Sequence, residues 1–139
     1  MAKFLKRLVY RSKSRVLPDD VANLREIYVA STKNNKQDKI TGCLAQPDGH
    51  FVQVIEGEAE KVDRLMSRIA TDPRHENVVI LGEWSVQSRL FQGWHMGQPD
   101  LTPLSDQSFR IINEAGSGAQ VVSVLMSVVE APDRLFRLT

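Results

Sequence analysis

The pattern of apolar and polar residues divides the first part of the chain into a strand and an amphipathic helix. Residues 4–12 alternate between the two classes with a period of two, which predicts a strand. The proline and the acids at 18–20 mark the start of a helix, and apolar residues follow at helical spacing from Val21 to Ser31. The polar run 34–39 predicts the end of that helix.

A hairpin and a second helix are predicted next. Residues 40–46 and 50–57 have strand character, and the Pro-Asp-Gly sequence at 47–49 between them is a turn signal. Residues 58–71 place apolar side chains on one side of a helix. The Asp-Pro pair at 72–73 ends this helix, because a residue that precedes proline avoids helical backbone angles.

Two further strands, 77–86 and 94–98, complete the order β-α-β-β-α-β-β. This order is the ferredoxin-like plan with one extra strand, so the sequence predicts an α+β fold with two helices on one face of a sheet. After residue 98 a short helix over 105–114 and a second helix over 119–131 are predicted, separated by a flexible break at 115–118. The valines of the last helix leave a strand open as an alternative.

Length and composition are typical of one globular domain with a short extension. The chain has 139 residues, and its 18 basic and 17 acidic residues leave a net charge of +1, so no nucleic-acid partner is expected. No apolar run approaches the roughly 20 residues that span a bilayer, so no membrane association is expected. The single cysteine and the lack of a signal sequence favour a cytoplasmic location. The three histidines are scattered, so no metal site is expected.

Gln53 is a polar residue on what should be an apolar strand face, because it alternates in phase with Phe51 and Ile55. Each donor or acceptor of a buried amide that stays unpaired costs roughly 1–3 kcal/mol. A polar protein group or a bound ligand is therefore expected to meet Gln53. Two plainer explanations stay open: Gln53 bonds only neighbouring backbone, or the opposite face of the strand is the buried one.

Each of the first two predicted helices carries a stripe that turns from apolar to polar near its end. The stripe of the first helix is Ile27, Ser31 and Asn35. The stripe of the second helix is Leu65, Arg68, Ile69 and Asp72. Side by side on a sheet, the helices would leave an apolar slot with polar groups at its mouth, which suits an aromatic ligand with a charged tail. Ordinary core stripes with capping residues explain the same spacing.

Six short segments occur in a distinctive order along the chain. They are Leu8-Val9-Tyr10-Arg11-Ser12, Ser31-x-x-Asn34-Asn35, Ile40-Thr41-Gly42, Phe51-x-Gln53-x-x-Glu56-Gly57, Asp72-Pro73-Arg74-His75 and Phe91-x-x-Trp94-x-Met96. In this order they resemble BLUF domains, the blue-light receptors that use FAD. The resemblance implies a flavin-binding domain over residues 1–98 and a C-terminal helical extension over 99–139, with no attached cyclase or phosphodiesterase domain.

By this resemblance the slot between the helices holds the isoalloxazine ring of FAD. Tyr10 matches the photoactive tyrosine of the family, and Gln53 matches its switching glutamine. Asn35 matches the asparagine that hydrogen-bonds the flavin ring. Trp94 and Met96 match the pair on the fifth strand that exchanges places near the glutamine, and which of the two faces the flavin stays open.

The resemblance also assigns residues to the two ends of the ligand. The implied contacts are Ile27, Ser31 and Asn34 at the ring, and Lys33, Arg68 and Asp72 at the ribityl and phosphate end, with Arg74 and His75 as weaker candidates. His95 stands where many members of the family have serine. Strand alternation would point its side chain to the face opposite the flavin.

The implied function is a blue-light photoreceptor without enzymatic activity. Light would move an electron and a proton from Tyr10, the amide of Gln53 would reverse its hydrogen bonds, and the fifth strand and the C-terminal helices would signal to a partner protein. A homodimer is expected, since exposed apolar residues on the last helix would favour one. Two alternatives are a ferredoxin-like ligand-binding module that does not respond to light and a small flavin oxidoreductase.

Overall fold

The computed structural model of this chain describes residues 4–16 and 20–129. The strands within these residues are β1 (Leu5–Ser14), β2 (Thr41–Ala45), β3 (His50–Glu58) and β4 (His75–Val86). The helices are α1 (Val21–Asp38), α2 (Ala59–Thr71), α3 (Asp106–Arg110) and α4 (Gly118–Val128), with a π-helix, Ile111–Ala115, between the last two. Among these described residues no helix has the length and apolar character needed to cross a membrane. Two predicted features lie outside the described residues. They are the proline and the first acid at the start of the first helix, and the last two residues of the C-terminal helix.

The described strands form an antiparallel sheet in the order β2-β3-β1-β4. This order, with helices after the first and third strands, confirms the predicted ferredoxin-like α+β fold. Tyr10 of β1 lies directly opposite Gln53 of β3, and Leu44 of β2 lies opposite Gln53 on the other side. The register therefore brings the two main candidate residues together at the centre of the sheet.

The two faces of the sheet are covered by different helices. On one face β1 and β3 pack against α2, through Leu8, Tyr10, Ile55, Val62, Met66 and Ile69. The same face carries α1, through Ile27, Leu44 and Phe51. The C-terminal helices cover the opposite face, through Val9, Val52, Val54, Ile112, Val121 and Leu125. Burial of each such side chain stabilises the fold by roughly 1.5–3 kcal/mol, so both layers are firmly attached.

α1 and β4 extend further than the sequence pattern predicts. α1 continues through most of the polar run that was expected to end it, and Lys39 closes it with a left-handed φ of 56°. The reason is tertiary, because Asn35 in the last turn is only 2% exposed and its contacts hold that turn in place. β4 begins at His75 rather than at residue 77, because it stays paired with Ser14 at the end of β1.

The predicted fifth strand over residues 94–98 is reduced to a short parallel pairing with β2. Gly42 donates its N–H to the Trp94 carbonyl at 2.9 Å. Gly97 donates its N–H to the Gly42 carbonyl at 2.8 Å and accepts from the Leu44 N–H at 2.9 Å. A Cβ at Gly42 would lie 1.9 Å from the Val54 carbonyl oxygen, so only glycine fits at this crossing.

A buried carboxylate fixes the loop that leads into this segment. Glu56 of β3 is 0% exposed and accepts the N–H groups of Leu90 and Phe91, each at 2.9 Å, and Nε of Arg7 at 2.8 Å. Gly93 then turns the chain with a φ of 88°. Removing one partner of such a buried charge costs about 3–5 kcal/mol, so the loop that leads into residue 94 is strongly fixed.

The described part of the C-terminal extension is largely helical, as predicted, but its first helix is interrupted earlier. α3 ends at Arg110, and the chain continues as a π-helix instead of completing the predicted helix to residue 114. Arg11 of β1 donates to the carbonyls of Ile111 and Ile112, at 3.3 and 2.9 Å, and these bonds hold the widened turn against the sheet. A capping box formed by Ser117 and Gln120 starts α4, which excludes the strand alternative for its described part.

Candidate functional site

A slot opens between α1 and α2 above the point where β1 and β3 place Tyr10 opposite Gln53. The strands contribute Tyr10, Leu44 and Gln53 to its floor. The walls are Ile27, Ala30, Ser31, Asn34 and Asn35 of α1 and Leu65, Arg68 and Ile69 of α2, with Asp72, Arg74 and His75 at the end of α2. The two stripes predicted from helical spacing therefore face one common cleft.

A chain of three hydrogen-bonding side chains begins at the floor of the slot. The hydroxyl of Tyr10 donates to Oε1 of Gln53, and Nε2 of Gln53 donates to Sδ of Met96 at 3.4 Å. Their exposed fractions are 0%, 4% and 7%. Burial, and then the charge of Asp72, raises the pKa of Tyr10 above its ordinary value, so the phenol is a hydrogen-bond donor at neutral pH. Gln53 thus meets polar side chains inside an apolar face, and not only neighbouring backbone.

Met96 reaches Gln53 in this structure, whereas Trp94 does not. Met96 packs with Ile27 and Phe51 on the slot side of the sheet. Trp94 packs into the core beneath the C-terminal helices. The resemblance assigned both residues to the fifth strand and left open which of them faces the flavin, and in a regular strand side chains two apart would share a face. That spacing does not apply here, because residues 94–97 are not a regular strand.

Asn35 joins the end of α1 to the segment that carries Met96. Its Nδ2 donates to the His95 carbonyl at 2.7 Å. The imidazole of His95 donates from Nδ1 to the Ile40 carbonyl at 3.2 Å, so this side chain lies against the start of β2. Within the described residues no donor reaches Oδ1 of Asn35, and Asn35 lines the slot. This oxygen is therefore available to an N–H group of a ligand.

Charged side chains surround the mouth of the slot. Arg68 pairs with Asp38 at 3.5 Å, and Arg74 pairs with Asp72 at 2.6 Å. The hydrogen bond from Arg74 holds the pKa of Asp72 below its usual value, so this carboxylate is ionised. Both guanidinium groups are partly exposed, and their planar donors suit the oxygens of a phosphate. The mouth can therefore hold an anionic tail.

His75 closes the far end of the slot beside Tyr10. Its Nδ1 lies 2.7 Å from Oγ of Ser12, and its ring stands edge-on to that of Tyr10 with the ring centroids 6.0 Å apart. Burial lowers the pKa of His75, so its ring is neutral at physiological pH. The neighbourhood of the Tyr10 ring is therefore uncharged on this side.

Two predicted ligand residues, Lys33 and Met96, do not line the slot. Lys33 is exposed and lines a separate groove on the outer side of α1. Successive helical residues are rotated by about 100°, so Lys33 points about 200° away from Ser31. Conversely, Ala30 and Leu44 line the slot although no motif indicates them. Helical spacing from Ile27 indicates Ala30, and the register of the hairpin, which pairs Leu44 with Gln53, indicates Leu44.

The slot fits a planar aromatic ligand with a charged tail, provided that its mouth opens. Its apolar walls and the amides of Gln53 and Asn35 match a heteroaromatic ring with polar edges. The enclosed volume is about 180 Å³. Ligand pockets typically measure roughly 300–1,000 Å³. A tricyclic ring therefore needs more room than the slot has in this structure.

The geometry of this slot agrees with one known family. The family model described as "BLUF: Sensors of blue-light using FAD" matches residues 5–97. The chain belongs to the BLUF family. BLUF proteins are blue-light photoreceptors, and the description of the family names a flavin as their chromophore. The match covers the entire sheet and both walls of the slot.

Curated relatives and solved structures lead to the same family. The photoactivated adenylate cyclase subunit beta of Euglena longa is 36% identical over 94 residues, which are 66% of this chain and 11% of that protein. The chain thus spans about a tenth of the length of the curated relatives that it matches. The dark-state structure of the BLUF protein BlrB is 30% identical, with a TM-score of 0.79 over 91% of this chain and 98% of that one. The photo-activated state of BlsA is 28% identical, with a TM-score of 0.75 over 91% and 96% of the two chains.

Asn35→Ala is expected to weaken flavin binding by about 5- to 150-fold, because a lost buried hydrogen bond costs roughly 1–3 kcal/mol. Lys33→Ala should leave binding within about twofold, because this side chain lies on the other side of α1 and in solvent. The measurement is the dissociation constant of the flavin by fluorescence titration, at moderate salt. Thermal unfolding of both proteins without flavin serves as the control for the lost contact of Asn35 with the His95 carbonyl. Equal losses in the two variants would contradict the placement of Asn35 in the slot.

Proposed function

We propose that this chain is a blue-light photoreceptor that binds FAD in the slot and signals by protein contacts, without a reaction of its own. The observation that carries the proposal is the buried chain Tyr10–Gln53–Met96, whose first two members lie on the floor of the slot. It combines an oxidisable phenol with an amide whose donor and acceptor can exchange places. An ordinary apolar core has no need for such a chain.

Three groups of residues would hold the flavin. Ile27, Leu65 and Ile69 supply apolar walls for the ring. Asn35, with Ser31 and Asn34 nearby, supplies polar groups for its edge. Arg68 and Arg74 at the mouth favour a ligand with a diphosphate, which is the reason to propose FAD in particular. Asp72 keeps Arg74 oriented at that mouth.

The floor residues would then perform the light reaction. The bound flavin supplies light absorption and an acceptor for one electron. Tyr10 is the residue placed to give up that electron, and a phenol that has lost an electron is strongly acidic. Its proton passes along the existing hydrogen bond to Oε1 of Gln53, which then no longer accepts. When the electron and the proton return to Tyr10, the amide of Gln53 is left with donor and acceptor exchanged, and its bond to Met96 is broken.

Two contacts could carry this change to the C-terminal extension. Residues 94–97 hold Met96 at one end and Trp94 at the other, and Trp94 packs in the same core as Ile112 and Val121. Independently, Arg11 follows Tyr10 in β1 and bonds the carbonyls of the π-helix. We therefore assign flavin binding to residues 1–98 and output to residues 99–139.

The partner in this proposal is a protein, and the homodimer stays a prediction. The apolar side of α4 is buried against the sheet, as Val121, Val122 and Leu125 show. The larger exposed apolar side chains within the described residues instead include Val79 and Ile80 on β4. The expected contact between two copies through the last helix therefore has no support from the described part of α4.

The absorption spectrum of the purified protein under blue light tests the proposed function. We expect yellow protein whose flavin absorbance shifts reversibly to the red during illumination and returns in the dark. Extraction and chromatography of the bound flavin distinguish FAD from shorter flavins. Colourless protein after flavin addition would favour a ligand-binding module of another kind. Bleaching to reduced flavin in place of a red shift would favour an oxidoreductase.

A further inference from the structure

α1 separates the slot from a second concavity that the light reaction does not use. This outer groove lies between Val29, Lys33 and Lys36 of α1 on one side and residues 96–100 on the other. It continues past Arg25 towards the N-terminal end of the helix. No residue of α1 lines both the slot and the outer groove. The helix therefore presents one face to each.

The outer groove offers an apolar floor of a size that suits side chains of another protein. Val29 is 61% exposed, which is unusual for a large apolar residue, and Pro99 faces it across the groove. The part of the groove beside Met96 measures about 670 Å³. Such apolar depressions with polar rims are typical of docking sites for peptide segments.

The rim of the outer groove is positively charged. Arg25, Lys33 and Lys36 are all exposed, and none of them forms an ion pair with another described residue. The carboxylate that lines the groove is Asp100, which accepts hydrogen bonds from Thr102. Basic groups thus outnumber the acidic one, and the groove is complementary to an acidic ligand.

The outer groove also touches the residue that the light reaction would move. Met96 lines it, and the sulfur of Met96 is the atom that accepts from Nε2 of Gln53 on the slot side. An occupant of the groove would contact Met96 without entering the slot. Loss of the Gln53–Met96 bond would change the surface that this occupant meets.

We propose that the outer groove binds an acidic segment of a partner protein, with an apolar side chain against Val29 and Pro99 and carboxylates on Arg25 and Lys36. Light changes the affinity through Met96, which makes this groove a direct output site. The light dependence rests on the proposed function, whereas the binding itself does not. By linkage, the occupant shifts the equilibrium between the two arrangements of Met96 by the same factor by which that rearrangement changes its affinity.

The test uses the full flavin-loaded chain and a fluorescein-labelled synthetic peptide of Asp, Glu, Leu and Phe, with the apolar residues at helical spacing. Its binding is followed by fluorescence anisotropy in the dark and under blue light. The double variant Arg25→Glu/Lys36→Glu reverses the charge of the rim. Lys13→Glu/Lys61→Glu changes the net charge by the same amount on other surfaces and is the matched control. We expect binding to weaken about tenfold in the first variant and less than about twofold in the second.

Each outcome decides a stated part of the proposal. Absence of saturable binding to the wild type, or equal weakening in both variants, would overturn the groove as a binding site. Groove-specific binding that is unchanged by light, in protein with a normal red shift, would overturn the coupling through Met96. A wild type without any red shift would instead contradict the proposed function, and the dark titration would still decide whether the groove binds the peptide.

Discussion

Tyr10→Phe is expected to bind flavin like the wild type and to lose the photocycle completely. The substitution removes a single hydroxyl group, and the ring of residue 10 keeps its packing against Leu8, Ile55 and Met66. The lost group is the donor to Oε1 of Gln53. Phenylalanine is a poor electron donor and has no proton to give, so both halves of the proposed transfer stop. The red shift should vanish, which is the largest change that the absorbance assay can register.

Tyr28→Phe is the matched control, because the chain has only two tyrosines. Tyr28 lies in α1, and its hydroxyl donates to the Leu44 carbonyl. Its loss should cost about 0.5–1.5 kcal/mol of folding stability and leave the red shift in place. Flavin content, the light-minus-dark spectrum and thermal unfolding are measured for both variants. A stable red-shifted state in Tyr10→Phe would remove Tyr10 from the mechanism.

Local sequence patterns predict the sheet and the slot because both depend on periodic spacing. Alternation places Gln53 in phase with Phe51 and Ile55, and the structure buries all three. The four-residue spacing of Ile27, Ser31 and Asn35 likewise predicts one face of α1, and that face lines the slot. What spacing alone did not provide was the partner of each residue. The Tyr10–Gln53 pairing follows from the register between β1 and β3, which is a long-range property.

The features that the sequence did not predict are those set by distant contacts. Alternation suggested a fifth strand at 94–98, but the loop before this segment is held by a distant residue, because the N–H groups of Leu90 and Phe91 donate to Glu56. The π-helix depends in the same way on Arg11, which is about a hundred residues away. Lys33 is a different case, because helical phase already argued against its place in the slot. The family resemblance, and not the spacing, had assigned it there.

Gln53→Leu is expected to retain flavin and to lose both the red shift and its transmission. Leucine has similar bulk, so the floor of the slot stays filled, but no amide remains to accept from Tyr10 or to donate to Met96. The hydroxyl of Tyr10 is left unpaired in a buried place, which should lower folding stability by roughly 1–3 kcal/mol. Infrared difference spectra should then lack the downshift of the flavin carbonyl that a reversed amide would produce.

The same variant separates the switch from its output. In the wild type we expect blue light to change amide hydrogen exchange over residues 94–98 and 106–128 more than over α1. The first segment contains Met96 and Trp94, and the second contacts Trp94 and Arg11. In Gln53→Leu the change should be absent, because nothing biases Met96 between two positions. Gln46→Leu is the matched control, since this glutamine makes a long 3.4 Å bond to Ser14 outside the slot. A normal exchange difference in Gln53→Leu would show that the C-terminal segment responds to light without the amide of Gln53. The contact of Arg11 with the π-helix would then be the next interaction to test by mutation.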